Sequence, residues 1–72
     1  MQTMAERLVS LREQRGLSQR ALGQEAGVER TMISRWESAV CPPEKMRVRD
    51  ALRLARALHV TLGSLVGEGC DQ

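Results

Sequence analysis

Gly23 is the residue that most narrows the folds open to this chain. It stands in the middle of a helical pattern, Gln19 to Ala26, where glycine costs about 1 kcal/mol relative to alanine. A glycine kept there points to a steric need, another backbone passing where a side chain would stand. Four positions later Gly27 follows the same pattern, and glycine tolerates the positive φ that a sharp turn demands. A second helical pattern, Arg30 to Ser38, begins at once. The stretch QRALGQEAGVERTMISRWES therefore reads as two short helices that cross closely through a tight turn. Leu22, Ala26, Val28, Ile33 and Trp36 supply the inner faces.

The flanking segments read as three more helices. Thr3 and Glu6 have the T-x-x-E spacing of a capping box, which predicts a first helix over Met4–Gln14 with Met4, Leu8 and Leu11 on one face. Gly16 ends it, and Ser18 is a natural N-cap for the second helix. The third helix is amphipathic. Met32, Ile33 and Trp36 share one side, and Arg30, Thr31, Ser34, Arg35 and Ser38 share the other. Pro42-Pro43 makes Ala39–Lys45 a loop. A fourth helix is predicted over Arg47–Leu58, with Val48, Ala51, Leu52, Ala55 and Leu58 at core spacing and Leu54 off that face. Thr61 caps a short fifth helix, Leu62–Val66. The expected organisation is one all-α, five-helix domain over residues 1–66 and a flexible tail over 67–72.

Composition bounds what such a domain can do. With 72 residues, no Phe, no Tyr and one Trp, the core has to be built from aliphatic side chains, and a domain of this size is marginal in stability. Residues 12–56 carry ten Lys and Arg against six Asp and Glu, while residues 57–72 carry only Glu68 and Asp71. A basic middle suits a polyanion, although charge alone is equally compatible with a solvated mixed face. Cys41 and Cys70 are far apart and no signal peptide precedes the chain, so reduced thiols and a cytoplasmic location are expected. No apolar run approaches a bilayer span. His59 is the only histidine and has no metal-ligand spacing to either cysteine. No motif sets a nucleophile beside a base. Neither a cofactor nor a catalytic role is expected.

The chain resembles the phage-repressor and Cro-like helix-turn-helix regulators, also called the xenobiotic-response-element type. The resemblance is carried by LREQRGLSQRALGQEAGV, TMISRWES and LRLARALHVTLGSL and covers nearly the whole chain. It implies a lambda-repressor-like domain that binds double-stranded DNA as a homodimer. By the same resemblance Gln19 matches a glutamine that contacts the DNA backbone and supports a base contact. Arg30, Thr31, Ser34 and Arg35 match base-facing positions of the recognition helix. Arg12 and Glu37 match a pair bridging the first and third helices. Gly23, Gly27 and Trp36 are structural. The resemblance also implies DNA contacts from Ser38 at the end of the third helix and from Lys45, Arg47 and Arg49 in and after the following loop, the alternative being that these loop cations only solubilise the start of the fourth helix. Leu62, Leu65 and Val66 match a two-fold contact, though each is equally suited to the core. Recognition helices would then stand about 34 Å apart on a near-palindromic operator.

Three positions depart from the family pattern. Glu29 replaces a small hydroxyl residue, and its carboxylate is expected to cap the third helix instead of meeting phosphate. Ser38-Ala39 replaces a glycine-bearing helix end, and the following loop is longer than usual. The expected function is a dimeric repressor or operon controller. The rivals are an antitoxin-type regulator with a toxin partner and a protein-interaction module that uses the same fold without DNA. No response to a small molecule is expected within these 72 residues.

Overall fold

A computed structural model describes residues 3–66. They form α1 (Met4–Gln14), α2 (Gln19–Ala26), α3 (Arg30–Glu37), a 3-10 turn at Pro43–Lys45, α4 (Val48–Leu58) and α5 (Leu62–Val66). No strand occurs among the described residues. The tail expected from residue 67 onward lies outside them.

Local chemistry starts these helices. Glu6 N–H donates to Thr3 Oγ1 at 3.2 Å, and Thr3 N–H donates to Glu6 Oε1 at 2.9 Å, so the capping box is complete. Ala21 N–H donates to Ser18 Oγ at 3.0 Å, and Ser64 N–H donates to Thr61 Oγ1 at 3.0 Å. Four helices finish on or just before a left-handed residue, Gly16 (φ 68°), Gly27 (φ 73°), Ala39 (φ 64°) and His59 (φ 59°), and three of them, those at Gly16, Gly27 and His59, share one closure. In each of these three the next amide reaches back five residues, Leu17 to Arg12, Val28 to Gly23 and Val60 to Ala55. These bonds satisfy carbonyls that a helix end otherwise leaves orphaned.

The helices close around an aliphatic core. Leu8, Leu22, Ile33, Leu54 and Leu65 are completely buried, with Met4, Ala26, Trp36, Ala55 and Leu58 around them. Each buried leucine contributes about 1.5–3 kcal/mol. The phase of α4 differs from the expectation. Val48 (68% exposed) and Leu52 (44% exposed) face solvent, whereas Leu54 and Ala57 are buried. The reason is that α4 is covered on two sides, by α2 and by α5. Its buried face runs through Ala51, Leu54, Ala55, Ala57 and Leu58, rotated from the stripe that spacing alone suggests. α3 stops at Glu37, one residue earlier than predicted, with Ser38 as its C-cap. Arg47 caps α4 instead of opening it.

Candidate nucleic-acid interface

Two glycines set how α3 is held, for different reasons. A Cβ on Gly23 would stand 2.6 Å from the carbonyl oxygen of Val28 and 3.5 Å from Ile33 Cδ1. The backbone of the turn passes against α2, as the glycine implied. At Gly27 a Cβ would meet nothing within 4 Å, so glycine is there for its φ of 73° alone.

With Ile33 and Trp36 buried inward, α3 turns its polar side out. Arg30, Thr31, Arg35 and Ser38 are exposed and Ser34 is half-buried. The guanidinium groups of Arg30 and Arg35 make no hydrogen bond or ion pair among the described residues. Ser38 Oγ donates back to Ser34 O at 2.9 Å. Glu29 occupies the N-cap of α3 but makes no side-chain cap bond, contrary to the expectation. Capping suits the short reach of Ser, Thr, Asp or Asn, and glutamate is one methylene longer. Its negative charge still sits at the favourable end of the helix.

Behind this face lies a three-helix junction. Arg12 Nε and Nη2 donate to Glu37 Oε2 and Oε1 at 2.7 and 3.1 Å, and Arg12 Nη1 donates to Leu17 O at 2.8 Å. The fork is bidentate and charge-assisted. The side chains of Arg12 and Glu37 are only 15% and 6% exposed. The hydrogen bond to Glu37 raises the Arg12 pKa, against the opposing effect of burial, so the charge on Arg12 is held firmly. Gln19 joins the same carboxylate, its Nε2 donating to Glu37 Oε1 at 2.9 Å. That third member was not legible in the sequence, where Gln19 and Glu37 lie 18 residues apart.

The loop after α3 brings Lys45 and Arg47 to the surface, both exposed. They share an open pocket of about 290 Å³ with Met32, Trp36 and Cys41. Sequence reasoning passed over Arg53 and Arg56. With Arg49 they form an exposed stripe on α4 at a spacing of four and three residues, the signal that would have found them. Arg53 Nη1 also donates to Gly27 O at 3.4 Å. Of the three predicted dimer residues, Leu65 is buried in the core. Leu62 and Val66 border an open groove of about 380 Å³ with Met4, Pro43, Met46 and Val48. No group of His, Cys, Asp and Glu among the described residues is placed to hold a metal. None of the described helices is long and apolar enough to cross a membrane.

A helix-turn-helix domain family matches residues 3–66. Two solved structures are similar over most of their length and this one. A crystal structure of the P22 c2 repressor in complex with a synthetic operator is 32% identical, with a TM-score of 0.80, over 92% of this chain and 96% of that one. The solution structure of the DNA-binding domain of the P22 c2 repressor is also 32% identical, with a TM-score of 0.77, over 94% of this chain and 90% of that one. No curated protein matches the chain significantly. Neither likeness is to an enzyme. A match that spans α1 to α5, on repressor domains of the same fold, settles the family: the chain belongs to the helix-turn-helix domain family and is of the phage-repressor-like kind.

Proposed function

We propose that the protein is a sequence-specific DNA-binding transcriptional regulator that lays α3 in the major groove. The observation that carries this reading is the outward face of α3: two arginines without a partner among the described residues, with Thr31, Ser34 and Ser38 between and beyond them, backed by Gly23 packing and the Arg12–Glu37 fork. The likeness to a repressor bound to an operator supports it. Arg30 and Arg35 are the base readers in this scheme, because a guanidinium donates two parallel bonds to guanine O6 and N7. Lys45 and Arg47 contact phosphate, which positions the domain and carries no sequence information.

The working form is a homodimer in the cytoplasm that acts as a repressor or operon controller on a near-palindrome. The groove bordered by Leu62, Val66 and the exposed Val48 supports a two-fold contact there. Leu65, being buried, contributes through the core.

Selection of bound duplexes from a random-sequence pool tests the proposal. The expected result is a near-palindrome with half-sites about one turn, 34 Å, apart. No enriched sequence, with no retention on any DNA at low salt, refutes it. Within the enriched site, Arg35→Ala is expected to cost about 1–3 kcal/mol and to relax one base position. Lys45→Ala is expected to weaken all sequences alike. Equal losses on specific and random DNA for Arg35→Ala would remove it from the base-reading set.

A further inference from the structure

We infer that the outer side of α4, where Arg49, Arg53 and Arg56 surround Leu52, is a docking surface for an acidic segment of a partner protein. The inference goes beyond the DNA-binding reading and does not depend on it.

The stripe works against the helix that carries it. Arg49 and Arg53 are four residues apart, and Arg53 and Arg56 three. Side chains so spaced are neighbours on a helix, and like charges there repel. All three fall within about 10 Å along the helix axis. No carboxylate is paired with any of them among the described residues. The guanidinium groups of Arg49 and Arg56 make no hydrogen bond, and the bond that Arg53 makes, at 3.4 Å, is to the neutral carbonyl of Gly27. Asp50, the nearest acid in the sequence, borders the pocket beside Trp36 and Lys45 instead. The repulsion is therefore left for an anionic partner to relieve.

Leu52 separates the kinds of anion. It is 44% exposed, and with the three arginines it lines one shallow hollow of about 250 Å³. A phosphate strand complements the cations but offers the leucine little apolar surface. A protein segment with carboxylates around one apolar side chain complements both. Each carboxylate can take a guanidinium fork, and the apolar side chain removes Leu52 from water. Arg53 ties the stripe to Gly27, so a partner seated there stands beside the turn that leads into α3.

The test uses the full chain and two synthetic helical peptides of equal charge. One carries glutamates three and four residues apart around a leucine, and the other has serine in place of that leucine. The leucine peptide is expected to bind about tenfold more tightly, the share of one partly buried leucine. Leu52→Ser is expected to erase that difference. Arg56→Gln is expected to weaken both peptides about threefold, the share of one exposed ion pair. Both positions are exposed, and circular dichroism checks that each variant keeps its helix content. The duplex selected by the wild type is titrated in parallel, and both variants are expected to hold it with unchanged affinity and salt dependence. Equal binding of the two peptides, or binding of neither, overturns the inference. So does a loss on every duplex for Arg56→Gln with the salt slope reduced by about one, which assigns the stripe to phosphate and leaves the DNA-binding reading standing.

Discussion

The chain enters and leaves α3 through two connections built on different terms. On the entry side α2 ends at Gly27, and three residues, 27–29, carry the chain into α3. The left-handed step falls on glycine (φ 73°), and Val28 N–H closes back five residues onto Gly23. On the exit side the left-handed step falls on Ala39 (φ 64°), where a Cβ makes that conformation costly by about 1–2 kcal/mol. Closure is looser there, with Cys41 N–H reaching back six residues to Arg35. The chain then runs through an exposed Val40 (73%) and a single 3-10 turn before Arg47 caps α4 without a side-chain bond. The entry fixes the angle between the two helices of the motif, so sterics and backbone conformation agree at each position. The exit only has to bring the chain back to α4, and one strained residue is tolerated because Ala39 N–H still bonds Trp36 O at 3.2 Å.

Substitutions at the two connections break or sharpen this contrast. The largest effect is expected at Gly23. Gly23→Val places a branched side chain where even a Cβ lies 2.6 Å from a backbone oxygen. Overpacking of this kind costs about 3 kcal/mol, a large share of the stability of a small domain, and a urea melt should show the midpoint collapse. Tolerance of valine there would mean that the close crossing of α2 and α3 is not rigid. Gly27→Ala comes next. With open space around the Cβ the cost is conformational only, about 1 kcal/mol, and thermal melts should register a fall of roughly 4–8 °C. Ala39→Gly is the mirror experiment, with a gain near 1 kcal/mol reduced by the greater chain entropy of glycine. A rise in melting temperature confirms strain at the exit, and a fall would show that the chain entropy of glycine outweighs the strain relieved. His59→Gly should be the smallest change, a few tenths of a kcal/mol in the same direction, since histidine tolerates the left-handed region better than alanine does.

The candidate interface was legible unevenly, and the reasons are physical. Arg30, Thr31 and Arg35 were readable as an outward face because Ile33 and Trp36 mark the inward one at helical spacing, and all three are exposed. The Arg12–Glu37 fork came from family resemblance. No local rule joins residues 25 positions apart. Glu29 was misread as a side-chain cap because its charge suits the site while its length does not. Leu54 was set aside because a single stripe was assumed for α4, and a helix packed on two sides buries more than one stripe.

By itself the sequence determined the helix starts at Thr3, Ser18 and Thr61, the stops at Gly16 and Gly27, and the close crossing at Gly23. Each depends on hydrogen bonds and sterics that act within a few residues of the chain. Only the tertiary structure decided the phase of α4, the left-handed turn at Ala39, the burial of Leu65 and the direction of the Gln19 amide. Those four depend on which neighbour stands opposite. A burial face is chosen by the helices that cover it, an unfavourable φ is accepted when closure of the fold outweighs its cost, and an amide turns to whichever partner can accept its proton.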